Sequence, residues 1–265
     1  MILKNTKDKL NMESSNKMMN VNKVAQITLL FWFMKIIATT LGETLGDFIS
    51  MTLNLGYLTG IVFTLLFFLL VLFTQLFSKE YVPVFYWLVI VGTTTLGTEI
   101  SDFMDRTLHL GYTLGSLVLF ACLVTALILW YQKYKSLKVY PISEIKKEIY
   151  YWVAILFSNS LGTAFGDFLS DNLGLSYLDG ALVTAGIILI VILLHYLTKI
   201  NEIILFWIAF VFTRPFGATF GDFLTKPLSK GGFDLGTLPA SLVCISLLTI
   251  LIFISHRQLK TVTIE

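Results

Sequence analysis

Charged side chains are scarce in this sequence, and cysteine and histidine are scarcer still. Only 14% of the 265 residues are charged and 56% are apolar, and the mean hydropathy is +0.80. A composition this apolar excludes an ordinary soluble domain. The two cysteines, Cys122 and Cys244, both stand in apolar runs, which argues against a disulfide framework or a thiolate metal site.

Signatures of an enzyme are also missing. The sequence has no HExxH motif, no phosphate-binding loop and no recognisable nucleophile–base pair, and its three histidines follow no pattern. Its basic residues are explained by orientation in a membrane, so they indicate no nucleic-acid partner. We therefore expect a protein that is not an enzyme and has no cofactor.

What the sequence does contain is eight apolar stretches, each long enough to cross a bilayer as a helix. They cover roughly residues 24–50, 58–77, 83–106, 112–132, 148–171, 177–198, 202–226 and 236–255. The first is not a secretory signal, because polar, lysine-bearing residues precede it and it has no small-residue cleavage site. The sequence predicts an all-α transmembrane protein with eight spans.

A nine-residue motif organises these spans. The segment TLGETLGDF at Thr40–Phe48 recurs three times, with the aspartates 55, 65 and 55 residues apart at Asp47, Asp102, Asp167 and Asp222. A tryptophan stands fifteen residues before each aspartate, at Trp32, Trp87, Trp152 and Trp207. A long apolar run opens about ten residues after each aspartate. Each repeat is therefore predicted to be two helices joined by a turn.

The repeats and the charges divide the chain into segments. We expect a basic cytoplasmic tail at residues 1–23, a single transmembrane domain at 24–255 and a second cytoplasmic tail at 256–265. The repeats span about 24–78, 79–133, 148–199 and 200–255, with a basic linker at 134–147. The two tails and the turns on their side of the membrane contain 14 lysine and arginine residues, and the turns on the opposite side contain three. Because basic residues accumulate on the cytoplasmic side, this distribution predicts cytoplasmic termini in a plasma membrane. The aspartates then lie near the outer ends of their spans, and the tryptophans lie about 22 Å deeper.

The polar residues of each motif helix fall on one stripe of a helical wheel, together with the aspartate. The stripe also holds Thr39 and Glu43 in the first repeat, Thr94, Thr98 and Glu99 in the second, Asn159 and Thr163 in the third, and Arg214 in the fourth. Ionisable side chains cost roughly 2.5–3.5 kcal/mol each in the middle of a span. We therefore expect the stripe to line a shared lumen and not to face lipid.

A neighbouring face of each motif helix carries two small residues four positions apart. The pairs are Gly42 with Gly46, Gly97 with Ser101, Gly162 with Gly166, and Gly217 with Gly221. This spacing allows helix backbones to approach closely. The sequence thus predicts that helices 1, 3, 5 and 7 form an inner bundle, with helices 2, 4, 6 and 8 outside. The four two-helix repeats are predicted to be parallel, related by an axis along the membrane normal.

Through its four tandem repeats and their tryptophans, the chain resembles a group of bacterial membrane proteins. These are built of four tandem two-span repeats of unknown function, each with a tryptophan in its first span. The resemblance covers about residues 24–255 and implies membrane location and fold, without an activity. This sequence departs from its own repeat pattern at Ser101, at Pro215 and in a lengthened turn of the fourth repeat.

Function is predicted from the oxygen-rich stripe. Carboxylates suit hard cations, and the candidate metal ligands are Asp47, Glu43, Asp102, Glu99, Asp167 and Asp222. The hydroxyl and amide groups of the stripe would add neutral oxygens, and Arg214 would serve as a counter-ion. We predict a membrane transporter or channel for a hard cation, with a divalent metal ion such as Mn²⁺ or Mg²⁺ as the first guess. Its expected partners are the lipid bilayer and the transported cation, and a homo-oligomer is left open.

Other interpretations remain open at this stage. A proton-coupled transporter could bind an organic solute or anion at Arg214, and an intramembrane lipid-modifying enzyme could use paired carboxylates. The aspartates could instead cap the turns, and the tryptophans could be interfacial anchors or an inner gate. Arg106 and Lys226 lie in or near outer turns, where solvation explains them or where they could line a vestibule.

Overall fold

The computed structural model describes residues 22–264, so most of the predicted N-terminal tail lies outside the described residues. The regular structure of this part of the chain is helical throughout. Its eight long helices are α1 (Leu29–Asp47), α2 (Tyr57–Phe77), α3 (Pro83–Asp102), α4 (Gly111–Tyr134), α5 (Ile145–Asp167), α6 (Tyr177–Leu197), α7 (Glu202–Thr225) and α8 (Thr237–Ile264). All but α5 are long and apolar enough to cross a membrane, and α5 opens with Lys146, Lys147 and Glu148. The prediction of an all-α fold with four two-helix repeats is confirmed.

The four motif helices form a closed inner ring in the order α1, α3, α5, α7. The first glycine of each small-residue pair lies directly against the next helix of the ring, in the pairs Gly42 with Thr94, Gly97 with Asn159, Gly162 with Arg214, and Gly217 with Thr39. A β-carbon at any of these glycines would overlap its neighbour, so the close approach requires glycine. The second small residue continues the same contacts one turn later, where Gly46 meets Thr98, Gly166 meets Ala218, and Gly221 meets Glu43.

The outer helices interlock the repeats. Each outer helix packs on the inner helix of the following repeat, α2 on α3, α4 on α5 and α6 on α7, and α8 returns to α1. Gly60 of α2, for example, receives the side chain of Glu99 from α3. Large apolar side chains such as Leu70 and Phe73 remain exposed on the outward faces, as expected where lipid is the solvent. A repeat is therefore completed only by its neighbour.

The turns after the motif aspartates differ between repeats. In the first three repeats the helix widens into a five-residue π-helical turn, at Phe48–Thr52, Phe103–Thr107 and Phe168–Asn172. In the fourth, α7 runs on to Thr225 and is followed by a 3-10 turn at Leu228–Lys230. Single π turns within α-helices are frequent at functional sites. The three π turns therefore indicate that the candidate functional site lies at this end of the ring.

The opposite end of the ring is closed by two short segments, residues 22–25 and 137–142. The backbone N–H of Lys23 donates to the carbonyl of Ile142 over 2.8 Å, and Val24, Val139 and Ile142 are buried. The Lys23 ammonium forms a buried ion pair of 2.5 Å with Glu148 at the start of α5. The last residues of the predicted tail therefore belong to the folded bundle. We call residues 22–25 and 137–142 the inner plug.

Candidate functional site

The four motif aspartates gather at the end of the ring that lies away from the inner plug, and all four are buried. Two basic side chains bridge them in pairs. Lys226 Nζ lies 2.5 Å from Asp47 Oδ2 and 3.2 Å from Asp222 Oδ1. Arg106 stands in the same way between the other two aspartates, with 3.4 Å from its Nε to Asp102 Oδ1 and 3.4 Å from its Nη2 to Asp167 Oδ2.

Lys226 and its two aspartates belong to a group that could hold a metal ion. One ligand oxygen from each of Glu43, Asp47 and Asp222 lies within 4.8 Å of the others, and all three residues are buried. Metal–oxygen distances of about 2.0–2.6 Å place opposing ligand oxygens about 4–5 Å apart, so the spacing fits a hard cation. Asp102, Asp167 and Glu99, the other predicted ligands, lie outside this group of three. We call Glu43, Asp47 and Asp222 the carboxylate trio.

Among the described residues, the other half of the ring contains no such trio, although its helices are arranged in the same way. The residue four positions before Asp47 is Glu43, whereas the residue four positions before Asp167 is Thr163. The second half therefore offers two aspartates and a hydroxyl where the first half offers three carboxylates. The Thr163 hydroxyl donates to the backbone carbonyl of Asn159 over 3.5 Å. The sequence asymmetry thus makes the two half-sites chemically different.

One turn below the trio, Arg214 neutralises Glu43. Arg214 Nη2 lies 2.9 Å from Glu43 Oε2 and donates to Thr98 Oγ1 over 2.5 Å. Its Nη1 donates to the carbonyl of Thr39 over 3.3 Å, and the side chain has no exposed surface. The guanidinium therefore joins α7 to α1 and α3. Arg214 thus forms an ion pair with a member of the carboxylate trio, and its role as a counter-ion in transport stays a prediction.

The middle of the ring is filled by the buried side chain of a lysine, Lys35. Lys35 Nζ donates to Asn159 Oδ1 over 3.0 Å and stands 4.2 Å from the centre of the Phe210 ring. The amide of Asn159 in turn donates to Thr93 over 3.0 Å. The stripe hydroxyls are also engaged, since Thr94 donates to the carbonyl of Ala38 over 3.2 Å. In this conformation, side chains fill the expected lumen within the described part of the ring.

Glu99 points away from the ring axis, toward the outer helix α2. Its carboxylate packs against Gly60 and has no hydrogen-bond partner among the described residues. Asp105, in the π turn of the same repeat, lies against Gly115 of α4 and is likewise unpartnered within residues 22–264. Both acids are buried between an inner and an outer helix. They are separate from the carboxylate trio.

The repeat tryptophans lie toward the inner plug. Trp87, Trp152 and Trp207 are buried within the bundle and Trp32 is half-buried. The Trp152 indole donates to Glu148 over 3.3 Å, and the Trp207 indole donates to a carbonyl of the inner plug over 3.1 Å. These contacts favour a role in closing the inner end over a role as anchors at the lipid surface.

A family described as Repeat of Unknown Function (DUF347) matches four times, at residues 30–81, 85–135, 150–201 and 205–261. The chain belongs to this family. No curated protein and no solved structure matches it. The family matches follow the same four repeats as the helices, and they assign no activity.

Within the second and fourth family repeats lie the two residues that sequence reasoning did not select. Arg106 and Lys226 each stand four positions after the motif aspartate and 120 residues apart, which is the offset between the two halves. The corresponding positions of the first and third repeats are Met51 and Asp171. A basic residue at the same register of both halves was the available signal. Solvation of an outer turn was the wrong explanation for both, since they bridge buried aspartates.

Proposed function

We propose that this protein carries a hard cation across a membrane, with Mn²⁺ and Mg²⁺ as the first candidates, and that the carboxylate trio binds it. The observation that supports this proposal most strongly is the convergence of three buried carboxylates at one end of a helical ring. Buried ionisable groups within a membrane are costly, so they are kept where they serve a pathway. The oxygen ligands favour a hard cation over a thiophilic one.

The balance of acidic and basic side chains at this end of the ring supports a cation. The four motif aspartates outnumber the two basic side chains that bridge them, Arg106 and Lys226. Glu43 is paired with Arg214 one turn below. An excess of carboxyl groups over basic groups favours a positive ligand over an anion.

The filled interior supports a carrier and not an open channel. An ion that enters at the trio meets the guanidinium of Arg214 one turn below and the buried side chain of Lys35 beyond it. The buried positive charge of Arg214 and the filled interior oppose the passage of a cation. Transport therefore requires a rearrangement that moves Arg214 and opens the inner plug. We place the protein in the plasma membrane with cytoplasmic termini, as the lysine and arginine distribution predicts, so that the trio faces outward.

The geometry gives less support to an anion transporter centred on Arg214. Both terminal nitrogens of Arg214 are already engaged, one with Glu43 and Thr98 and the other with the carbonyl of Thr39. A carboxylate or phosphate that binds to both terminal nitrogens would have to displace these partners from a fully buried site. The carboxylate trio needs no such exchange of an arginine partner.

Uptake by proteoliposomes tests the proposal. Vesicles that contain a Mn²⁺-quenched dye, with a parallel set that contains a Mg²⁺-sensitive dye, would report flux for the native chain, Asp47→Asn, Asp222→Asn and the control Asp234→Asn. Asp234 is an exposed acid of the same outer end, and it lies in the left-handed region (φ 60°), which asparagine also adopts. We expect native and control vesicles to quench and the two trio variants to lose flux. Absence of Mn²⁺ and Mg²⁺ flux in the native protein, or normal flux in both trio variants, would contradict the proposal.

A further inference from the structure

The cation site proposed above already holds a positive charge that belongs to the chain. The Lys226 ammonium is placed between Asp47 Oδ2 and Asp222 Oδ1, at 2.5 and 3.2 Å. Both aspartates are ligands in the carboxylate trio. A metal ion bound to these two oxygens would lie where the ammonium now lies.

We propose that Lys226 is a tethered competitor for the transported cation: its ammonium occupies the carboxylate trio in the ion-free protein and must leave when the metal binds. This inference rests on the proposed function and adds a residue that sets the affinity of the site. It also gives the empty state a stable structure, because two buried carboxylates would otherwise face each other without a cation.

The structure allows the Lys226 side chain to leave without disturbing the backbone. Its N–H donates to the carbonyl of Asp222 over 2.8 Å, and its carbonyl accepts from the N–H of Asp234 over 3.0 Å. The residues inserted in the fourth repeat thus fold back and hold the main chain of Lys226. The side chain itself is 18% exposed at the mouth of the ring, and the four-carbon stem of a lysine is flexible. Exit toward solvent requires only rotamer changes.

Arg106 is the natural control for this role. It bridges the equivalent aspartates of the other half, and its removal would change the net charge of the layer by the same amount. Within residues 22–264, the ion pairs of Asp47 and Asp222 both go to Lys226 and not to Arg106. A general electrostatic effect would appear in both variants. Competition for the ligand oxygens would appear only when Lys226 is changed.

Calorimetric titration of Mn²⁺ into protein in nanodiscs tests the proposal, with the native chain compared to Lys226→Gln, Lys226→Met and Arg106→Gln. A site that an internal group occupies nine-tenths of the time binds its ligand about tenfold more weakly than the free site. We therefore expect Kd to fall on the order of tenfold in both Lys226 variants and by clearly less in Arg106→Gln. Lys226→Gln retains a hydrogen-bond donor, which protects the comparison if the methionine variant does not fold.

A second measurement uses the native chain alone. Mn²⁺ binding should raise the rate at which an amine-reactive ester labels Lys226, as followed by mass spectrometry, while the exposed Lys230 is labelled at a constant rate. Suppose that Mn²⁺ binds, but that its Kd is the same in the Lys226 variants as in the native chain and that Mn²⁺ does not change the labelling of Lys226. The proposal that Lys226 competes with the cation would then be wrong, while the proposed cation site would stand. If Mn²⁺ and Mg²⁺ do not bind to any form, the proposed function fails together with this inference.

Discussion

Replacement of Lys23 by methionine is expected to destabilise the bundle by about 3 kcal/mol. The Lys23 ammonium lies 2.5 Å from Glu148 Oε2, and the two side chains are 3% and 0% exposed. Loss of one partner of a buried ion pair leaves an uncompensated charge, which typically costs about 3–5 kcal/mol. We take the lower value, because Gln75 and Trp152 still donate to Glu148 Oε1 over 2.8 and 3.3 Å.

A double-mutant cycle separates the ion pair from the packing of the two side chains. Glu148→Gln alone leaves the Lys23 ammonium without an anionic partner, because the carbonyl of Leu76, at 2.7 Å, and the amide oxygen of the new glutamine are both neutral acceptors. The double variant Lys23→Met with Glu148→Gln contains no buried charge at this place, and replacement of a whole buried pair is often close to neutral. We expect the double variant to be more stable than Lys23→Met by at least about 1.5 kcal/mol.

The assay is denaturant titration of the purified protein in detergent, followed by tryptophan fluorescence. Lys199→Met is the matched control, since Lys199 is an exposed lysine in a turn at the same end of the bundle, and its change should stay within about 0.5 kcal/mol. The reasoning is refuted if Lys23→Met behaves like this control. It is also refuted if the two single effects simply add in the double variant, because the residues would then not be coupled.

Two further predictions concern the inner ring. Gly42→Ala should lower the free energy of unfolding by about 1–3 kcal/mol, because the new β-carbon would overlap Thr94. Gly186→Ala is the control, since a β-carbon there meets no atom within 4 Å, and it should change stability by less than about 1 kcal/mol. Equal effects of the two variants in the same titration would contradict the close approach at Gly42. Arg214→Gln should destabilise the protein by about 2 kcal/mol or more beyond the effect of Arg106→Gln, because Arg214 is fully buried and Arg106 is 31% exposed. The opposite order of unfolding midpoints would contradict the counter-ion role proposed for Arg214.

The inner ring could be predicted from the sequence because its signals are periodic. The recurrent aspartate fixes the unit, and small residues four positions apart identify the face that packs, as at Gly42 and Gly46. The partner of each outer helix could not be predicted in the same way. A repeat pattern is equally satisfied when an outer helix packs on its own inner helix or on the next one. The structure shows the second arrangement, in which Gly60 receives Glu99 of the following repeat.

The pairing of charges was also beyond sequence patterns. Lys23 and Lys226 stand at the ends of apolar runs, where positive residues usually mark the membrane surface. Their partners, Glu148 and Asp47, are 125 and 179 residues away along the chain. Only the closure of the ring brings α7 beside α1, and only the packing of the inner plug brings residue 23 to α5. Such distant pairs follow from tertiary structure and not from local composition.

The difference between the two half-sites leads to a last prediction, which concerns Thr163. In the first half, Glu43 completes the trio and Arg214 neutralises it; the equivalent residues of the second half are Thr163 and Thr94. Thr163→Glu alone would bury an unpaired carboxylate and should destabilise the protein by about 3 kcal/mol.

Addition of Thr94→Arg would supply the missing counter-ion beside Gly42, just as Arg214 lies beside Gly162 in the native ring. The double variant should therefore regain part of the lost stability and bind two Mn²⁺ ions per chain, against one for the native protein, in the calorimetric titration. If the double variant is stable and still binds one ion, three carboxylates at these positions do not suffice to make a site. That result would contradict the proposal that the carboxylate trio binds the cation, because three carboxylates at the equivalent positions of the second half would have bound none.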